Sequence, residues 1–209
     1  MENILVAGAN GTTGKKVVDL LEKSGSFNPI AMIRKEEQKS KFESSGVMTV
    51  IGDLEEEISH VTKNIDKVVF AAGSGGKKVV EVDQEGAKKL IDASKKSGIK
   101  KFVMLSSMGA DNPGEADDLK EYLKAKHNAD MYLKESNLNF TIVRPGSLNN
   151  QKGSGKIILK NKLKTSGEIS RDDVAETLVR SLHDNVANNV VFEILEGEIP
   201  VEEALQNIK

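Results

Sequence analysis

The 209-residue chain is 38% hydrophobic and 30% charged, which is enough apolar material for one sizeable core. Its 30 basic and 32 acidic side chains leave a net charge of -2, with no general attraction to nucleic acid or anionic membrane. The absence of cysteine excludes disulfides, thiolate metal sites and a cysteine nucleophile, and His60, His127 and His183 are too scattered to suggest a metal centre. Met1 runs straight into an apolar segment without the basic region of a leader, and no apolar stretch approaches the roughly 20 residues of a membrane span. A cytoplasmic location is expected.

The first apolar run, 4–7, lacks alternation and stops at Gly8, as a buried parallel strand feeding a tight turn should. Val17, Val18, Leu20 and Leu21 then recur at helical spacing until Gly25 ends the helix. A second strand is predicted over 29–33, a helix over 35–44 closed by Gly46, a third strand over 47–51 and a fourth over 67–71. Residues 80–96 carry Val82, Ala87, Leu90, Ile91 and Ala93 on one helical face. A fifth strand follows over 101–105, a helix over 119–136, and a sixth strand over 140–143 with Pro145 marking its end. The tail reads as an extended excursion over 151–164, a capped helix over 170–182, a strand over 190–195 and a short helix from Val201.

Strands alternating with helices at this spacing imply parallel crossovers, and hence a doubly wound, mainly parallel sheet between two helical layers. We expect a single domain over 1–209, with a small substrate-side portion from about 146 to 209, because no linker divides the chain.

Glycines 8, 11 and 14 fall between the first strand and the first helix, in Gly8-Ala9-Asn10-Gly11-Thr12-Thr13-Gly14. The first glycine allows the turn, the second lets a pyrophosphate approach the backbone, and the third permits close helix packing. The helix start supplies free N–H groups and the positive end of its dipole. We therefore expect Gly8, Asn10, Gly11, Thr12, Thr13 and Gly14 to hold a dinucleotide. An acidic residue about 20 positions beyond such a loop selects NAD by bonding the ribose 2′-hydroxyl. Here that position is Arg34, followed by Lys35, and a guanidinium suits a 2′-phosphate. NADP(H) is thus the expected cofactor, with NAD(H) the lesser ligand.

The GxxGxxG spacing resembles that of the short-chain dehydrogenase/reductase superfamily in its extended and atypical branches, and the likeness continues along the chain. Asp53 in Gly52-Asp53-Leu54 stands where those branches place an adenine contact, and Ala71-Ala72-Gly73 matches their cofactor-lining stretch. Ser106-Ser107 ends the fifth strand as a paired serine does there, Arg144-Pro145-Gly146 ends the sixth, and residues 170–175 match a late helix start. The chain is most similar to the short NmrA-like and biliverdin-reductase-B-like members. The resemblance implies that Asp53, Leu54, Ala71, Ala72, Gly73, Ser106 and Pro145 line the cofactor.

It also implies a catalytic set. Tyr122 and Lys126 have the spacing of the family's proton donor and the lysine that holds the ribose and favours the phenolate, and an i, i+4 pair shares a helix face. Ser107 is the matching substrate-orienting serine, although longer extended members place theirs where this chain has Met108. The expected function is NADP(H)-dependent oxidation or reduction of a small carbonyl-type substrate, the hydride moving through the cofactor and the proton through Tyr122. A non-catalytic NAD(P)-binding regulator in the NmrA-like manner is the alternative from another class, and an epimerase or dehydratase the lesser enzyme reading.

Two other patterns lead nowhere. The runs 73–78 and 153–157 lack the first glycine and the Ser/Thr of a P-loop. The lysine pairs at 88–89, 95–96 and 100–101 are interspersed with acids and read as solvated helix faces.

Overall fold

Alternation within the strands decides the layering. In β1 (Glu2–Ala7), Ile4 and Val6 enter one apolar cluster while Leu5 and Ala7 enter another, because successive side chains of a strand point to opposite faces. The same division recurs in β4 (Lys67–Phe70), β5 (Lys101–Leu105) and β6 (Phe140–Pro145), so the sheet is buried on both sides. A computed structural model describes residues 1–115 and 119–208.

The helices α1 (Thr12–Lys23), α5 (Arg171–Arg180) and α6 (Val201–Gln206) cover one face through Val17, Leu21, Val174, Leu178 and Leu205. On the other, α3 (Ala87–Lys96) and α4 (Lys120–Glu135) contribute Leu90, Ile91, Ala129 and Leu133. With β2 (Phe27–Ile33), β3 (Met48–Ile51) and β10 (Val190–Glu196), the parallel strands are ordered β3-β2-β1-β4-β5-β6-β10. The direction of winding reverses between β1 and β4, the switch point at which such sheets bind ligands beyond their carboxyl ends. The doubly wound α/β expectation holds.

Three expectations are corrected. The helix over 35–44 gives way to a 3-10 turn, Glu36–Gln38, and the four-residue α2 (Ser40–Glu43). Gln38 Oε1 accepts from the N–H groups of Arg34 (2.8 Å) and Lys35 (3.1 Å), closing a tight turn, and only Phe42 is buried to anchor α2. The helix over 80–96 starts as a wide π segment, Val79–Gly86, and turns α-helical at Ala87. The excursion over 151–164 contains β8 (Lys156–Lys160), antiparallel to β10 and paired in turn with β11 (Ile199–Pro200). Two short strands, β7 (Ser147–Asn149) and β9 (Glu168–Ser170), pair separately.

The start of α5 ties this tail down. Ser170 caps the helix by accepting from Asp173 N–H, and the Asp173 carboxylate accepts from the N–H groups of Ser154 and Gly155. Asp172 accepts from Gly153 N–H and pairs with Lys16 of α1 at 2.6 Å. The Lys16 ammonium, then the Gly153 N–H, hold the Asp172 carboxyl below its ordinary value of 3.8. A depressed carboxyl pKa contributes stability that is present above the unfolded value and lost as pH falls through the folded one. Asp172→Asn is therefore expected to lower the melting temperature at pH 7, with the gap from wild type closing as pH falls below the ordinary carboxyl value of 3.8. Circular-dichroism melts across pH check this, and a gap that persists in acid would contradict it.

Candidate functional site

Because β1 to β6 run parallel, the segments that leave them gather along one edge of the sheet. Gly8 follows β1, Arg34 follows β2, Gly52 and Asp53 follow β3, Ala71 follows β4 and Ser106 follows β5, while Pro145 ends β6.

At the switch point the backbone leaves no room for side chains. Gly8 has φ +86°, and a Cβ there would stand 2.6 Å from the Ala72 backbone. A Cβ on Gly14 would stand 2.1 Å from Gly8 O. The loop closes on itself as Gly11 N–H donates to Gly8 O at 2.9 Å. Beyond it α1 starts at Thr12 with no side-chain cap and no acid in its first turn, so its positive end is uncompensated. Thr12 is exposed and Thr13 buried, while Asn10 Oδ1 is buried and, among the described residues, has no hydrogen-bond partner. The room left by the three glycines and the uncapped helix start fit the pyrophosphate of a dinucleotide.

Further along the edge, Asp53 is half-buried and Oδ1 accepts from Glu55 N–H, while Leu54 is buried with its Cβ against Gly86 of the π segment. Lys89 Nζ fixes this loop by donating to the carbonyls of Leu54, Glu55 and Glu56. Arg34 is exposed and, among the described residues, forms no ion pair. Its guanidinium is free to meet an anion.

The catalytic candidates converge from two elements. Ser106 N–H donates to Val143 O (2.8 Å) and Met108 N–H to Pro145 O (3.0 Å), so the paired serines lie along the end of β6. The loop then crosses onto α4, where Gly109 abuts Leu123 and a His127 ring nitrogen hydrogen-bonds Ala110 O at 2.8 Å. Those α4 residues flank Tyr122 and Lys126. Tyr122 is half-buried, Lys126 is 4% exposed, and the Lys126 ammonium lies 5.6 Å from the Tyr122 ring centroid.

The two serines differ. Ser106 is buried and donates its Oγ–H to Asp130 Oδ2 at 2.9 Å, facing into the protein. Ser107 is half-buried and its hydroxyl donates to its neighbour's carbonyl, Met108 O.

Asp83 and Asp130 were not picked out from the sequence, yet both meet this constellation. Asp83, 1% exposed on the π segment, accepts from Ser74 N–H through Oδ2 and pairs through Oδ1 with Lys126 Nζ at 3.1 Å. Burial by itself would lower the Lys126 pKa, but Tyr122, Asp83 and Asp130 outweigh it and hold the amine above its ordinary value. Lys126 is thus an ammonium at neutral pH. The signal available in the sequence was helical spacing, since Leu123, Lys126, Asp130 and Leu133 share one stripe of α4 that ought to be apolar throughout.

A cavity of about 250 Å³ lies elsewhere, between Arg180, His183 and Leu205, and includes none of these residues. Among the described residues no helix is long and apolar enough to cross a membrane.

A family model described as NAD(P)H-binding matches residues 8–185. The "Uncharacterized sugar epimerase YhfK" of Bacillus subtilis (strain 168) is 41% identical, over 98% of this chain and 99% of its own. Among solved structures, a "Putative NAD-dependent epimerase/dehydratase" from Bacillus halodurans superposes with a TM-score of 0.95, at 36% identity and 100% of both chains. The oxidoreductase ylbE from Lactococcus lactis superposes with a TM-score of 0.88 at 31% identity, covering 99% of this chain and 96% of its own.

Proposed function

The chain belongs to the NAD(P)H-binding family, and from that premise we propose that it is an NADP(H)-dependent oxidoreductase acting on a small carbonyl-type substrate. One observation carries the reading: a buried Lys126 ammonium beside Tyr122, on the helix that the serine loop crosses. When bound, the dinucleotide supplies or accepts the hydride at its nicotinamide. Tyr122 gives its phenolic proton to the substrate oxygen, and the Lys126 charge stabilises the phenolate left behind. Ser107 orients that oxygen with its hydroxyl. Lys126 retains donors for the cofactor ribose, since an ammonium carries three N–H groups and its ion pair with Asp83 occupies one of them. The segment after Pro145 forms the substrate side.

The test is consumption of NADPH, followed by its near-ultraviolet absorbance, against phenanthrenequinone and a set of small aldehydes and ketones. Turnover supports the reading. Failure with the whole set counts against it.

The names of two relatives favour a second reading, an epimerase, in which hydride leaves and returns within one turnover. Interconversion of a nucleotide sugar with no net change in NADPH would select it.

The preference for NADP(H) rests on Arg34, whose free guanidinium can pair with a 2′-phosphate. Arg34→Glu is expected to weaken NADPH binding by about 10- to 100-fold and leave the NADH Kd within about threefold. Titrations of both dinucleotides decide it, and an equal loss for the two would remove the assignment.

A further inference from the structure

We propose that Asp130 is a positioning residue: it sets where Tyr122 and Lys126 stand relative to Ser107 by pinning their helix to the ends of β5 and β6. The inference rests on the reading of Tyr122 as proton donor given above. Residues 122, 126 and 130 follow one another at i, i+4 spacing on α4, so Asp130 lies on the same face one turn beyond Lys126. It is fully buried, at 0% exposure. Its Oδ2 accepts from Ser106 Oγ at 2.9 Å and Arg144 Nε at 2.9 Å, and Arg144 Nη2 stands 2.9 Å away as well. One carboxylate oxygen therefore gathers donors from both strands that carry the serine loop and the Arg-Pro end.

Those strand ends are already joined to each other through Ser106 N–H and Met108 N–H. His127 ties α4 to the far side of the serine loop at Ala110 O, and the face of α4 that meets the strands themselves is otherwise packed through apolar side chains such as Ala129 and Leu133. Apolar packing is non-directional and permits a small slide along the helix axis, whereas a carboxylate with donors from two strands does not. The tolerance is narrow, since a misplacement of about 1 Å at reacting groups can cost about a hundredfold in rate.

Stability is a poor explanation for the pair. A buried ion pair is often no better than apolar residues of the same volume, and here Asp130 Oδ1 has no hydrogen-bond partner among the described residues. Burial raises the Asp130 pKa against the opposing pull of Arg144, Ser106 and Lys126, a further sign that the carboxylate is held at a cost. Directional registration of the site accounts for what packing energy does not. Outward, Arg144 Nη1 lies 3.8 Å from Asp111, and Asp111 pairs with Lys162 at 2.7 Å, so the same pin reaches the tail on the substrate side.

The test measures kcat with phenanthrenequinone at saturating NADPH, together with the NADPH Kd, for Asp130→Asn alone and combined with Tyr122→Phe. Asp130→Asn is expected to lower kcat by about tenfold or more and to leave Kd within about threefold. In the Tyr122→Phe background the same substitution should bring no further loss, because a residue acting through Tyr122 has nothing left to position. Equal fractional losses in both backgrounds would mark a general structural role and overturn the inference. If Asp130→Asn fails to fold because it strands the Arg144 charge, Asp130→Leu with Arg144→Met removes both charges and must show the same loss of kcat. A wild-type kcat in that double variant would overturn the inference alone. A Tyr122→Phe protein as active as wild type would instead overturn the reading beneath it.

Discussion

Replacing Tyr122 with phenylalanine is expected to lower kcat for NADPH-dependent carbonyl reduction by about 10²- to 10⁴-fold, with the NADPH Kd within about threefold of wild type. The substitution removes one oxygen from a half-buried ring and leaves its packing on α4 in place. What disappears is the proton that the substrate oxygen needs as hydride arrives. Lys126 cannot replace it directly, because Asp83 and Asp130 remain beside it in the variant and still favour its charged form. Cofactor binding is spared, since the glycine cradle, the α1 start and the Asp53 loop are untouched. A Kd that rose in step with the fall in kcat would show Tyr122 to be a binding residue, and an unchanged kcat would end the assignment.

The second large effect belongs to the cradle. Gly14→Ala is expected to weaken NADPH binding by about a hundredfold or more and to lower stability by about 1–3 kcal/mol. A Cβ at this position would stand 2.1 Å from Gly8 O and 2.7 Å from Gly8 C, and both obstacles are backbone. Either the loop or the first turn of α1 must move, and each carries N–H groups that the proposed site offers to the pyrophosphate. Gly25→Ala is the control, because Gly25 has φ +65° but nothing within 4 Å of an added Cβ. Backbone strain there should cost about 1 kcal/mol of stability and leave NADPH affinity alone. Calorimetric titration and thermal melts separate the two quantities. Matching affinity losses in the two variants would refute a local role for the cradle.

Much of this fold was legible because its signals are local. An apolar run stopped by Gly8 located β1, and the alternation of strand and helix gave the parallel sheet. The tail was harder to read. β8 is an Ile-Ile-Leu run between lysines, and its place in the sheet depends on β10, more than thirty residues later. The turn at 36–38 was lost to a competitor that helical periodicity does not register, the Gln38 side chain taking two backbone N–H groups.

Among the candidate site residues, the glycines and the Tyr-Lys pair announce themselves by spacing, whereas Asp83 and Asp130 do not. Their partners, Lys126 and Arg144, come from other elements, so their role exists only once the chain has folded. The paired serines show the same limit. Adjacent in sequence, they point to different surroundings, and only Ser106 finds a buried carboxylate.

The packing of α5 on α1 also bears on how the protein is made. Lys16 and Asp172 are 156 residues apart, and Val17 and Leu21 share their apolar cluster with Val174 and Leu178. At about 5–20 residues per second, a ribosome delivers α5 about 8 to 30 seconds after α1. Through that interval α1 lacks the helix that packs beside it. The glycine loop and α1 at the front of the chain thus wait for its last quarter before their neighbouring helix is in place.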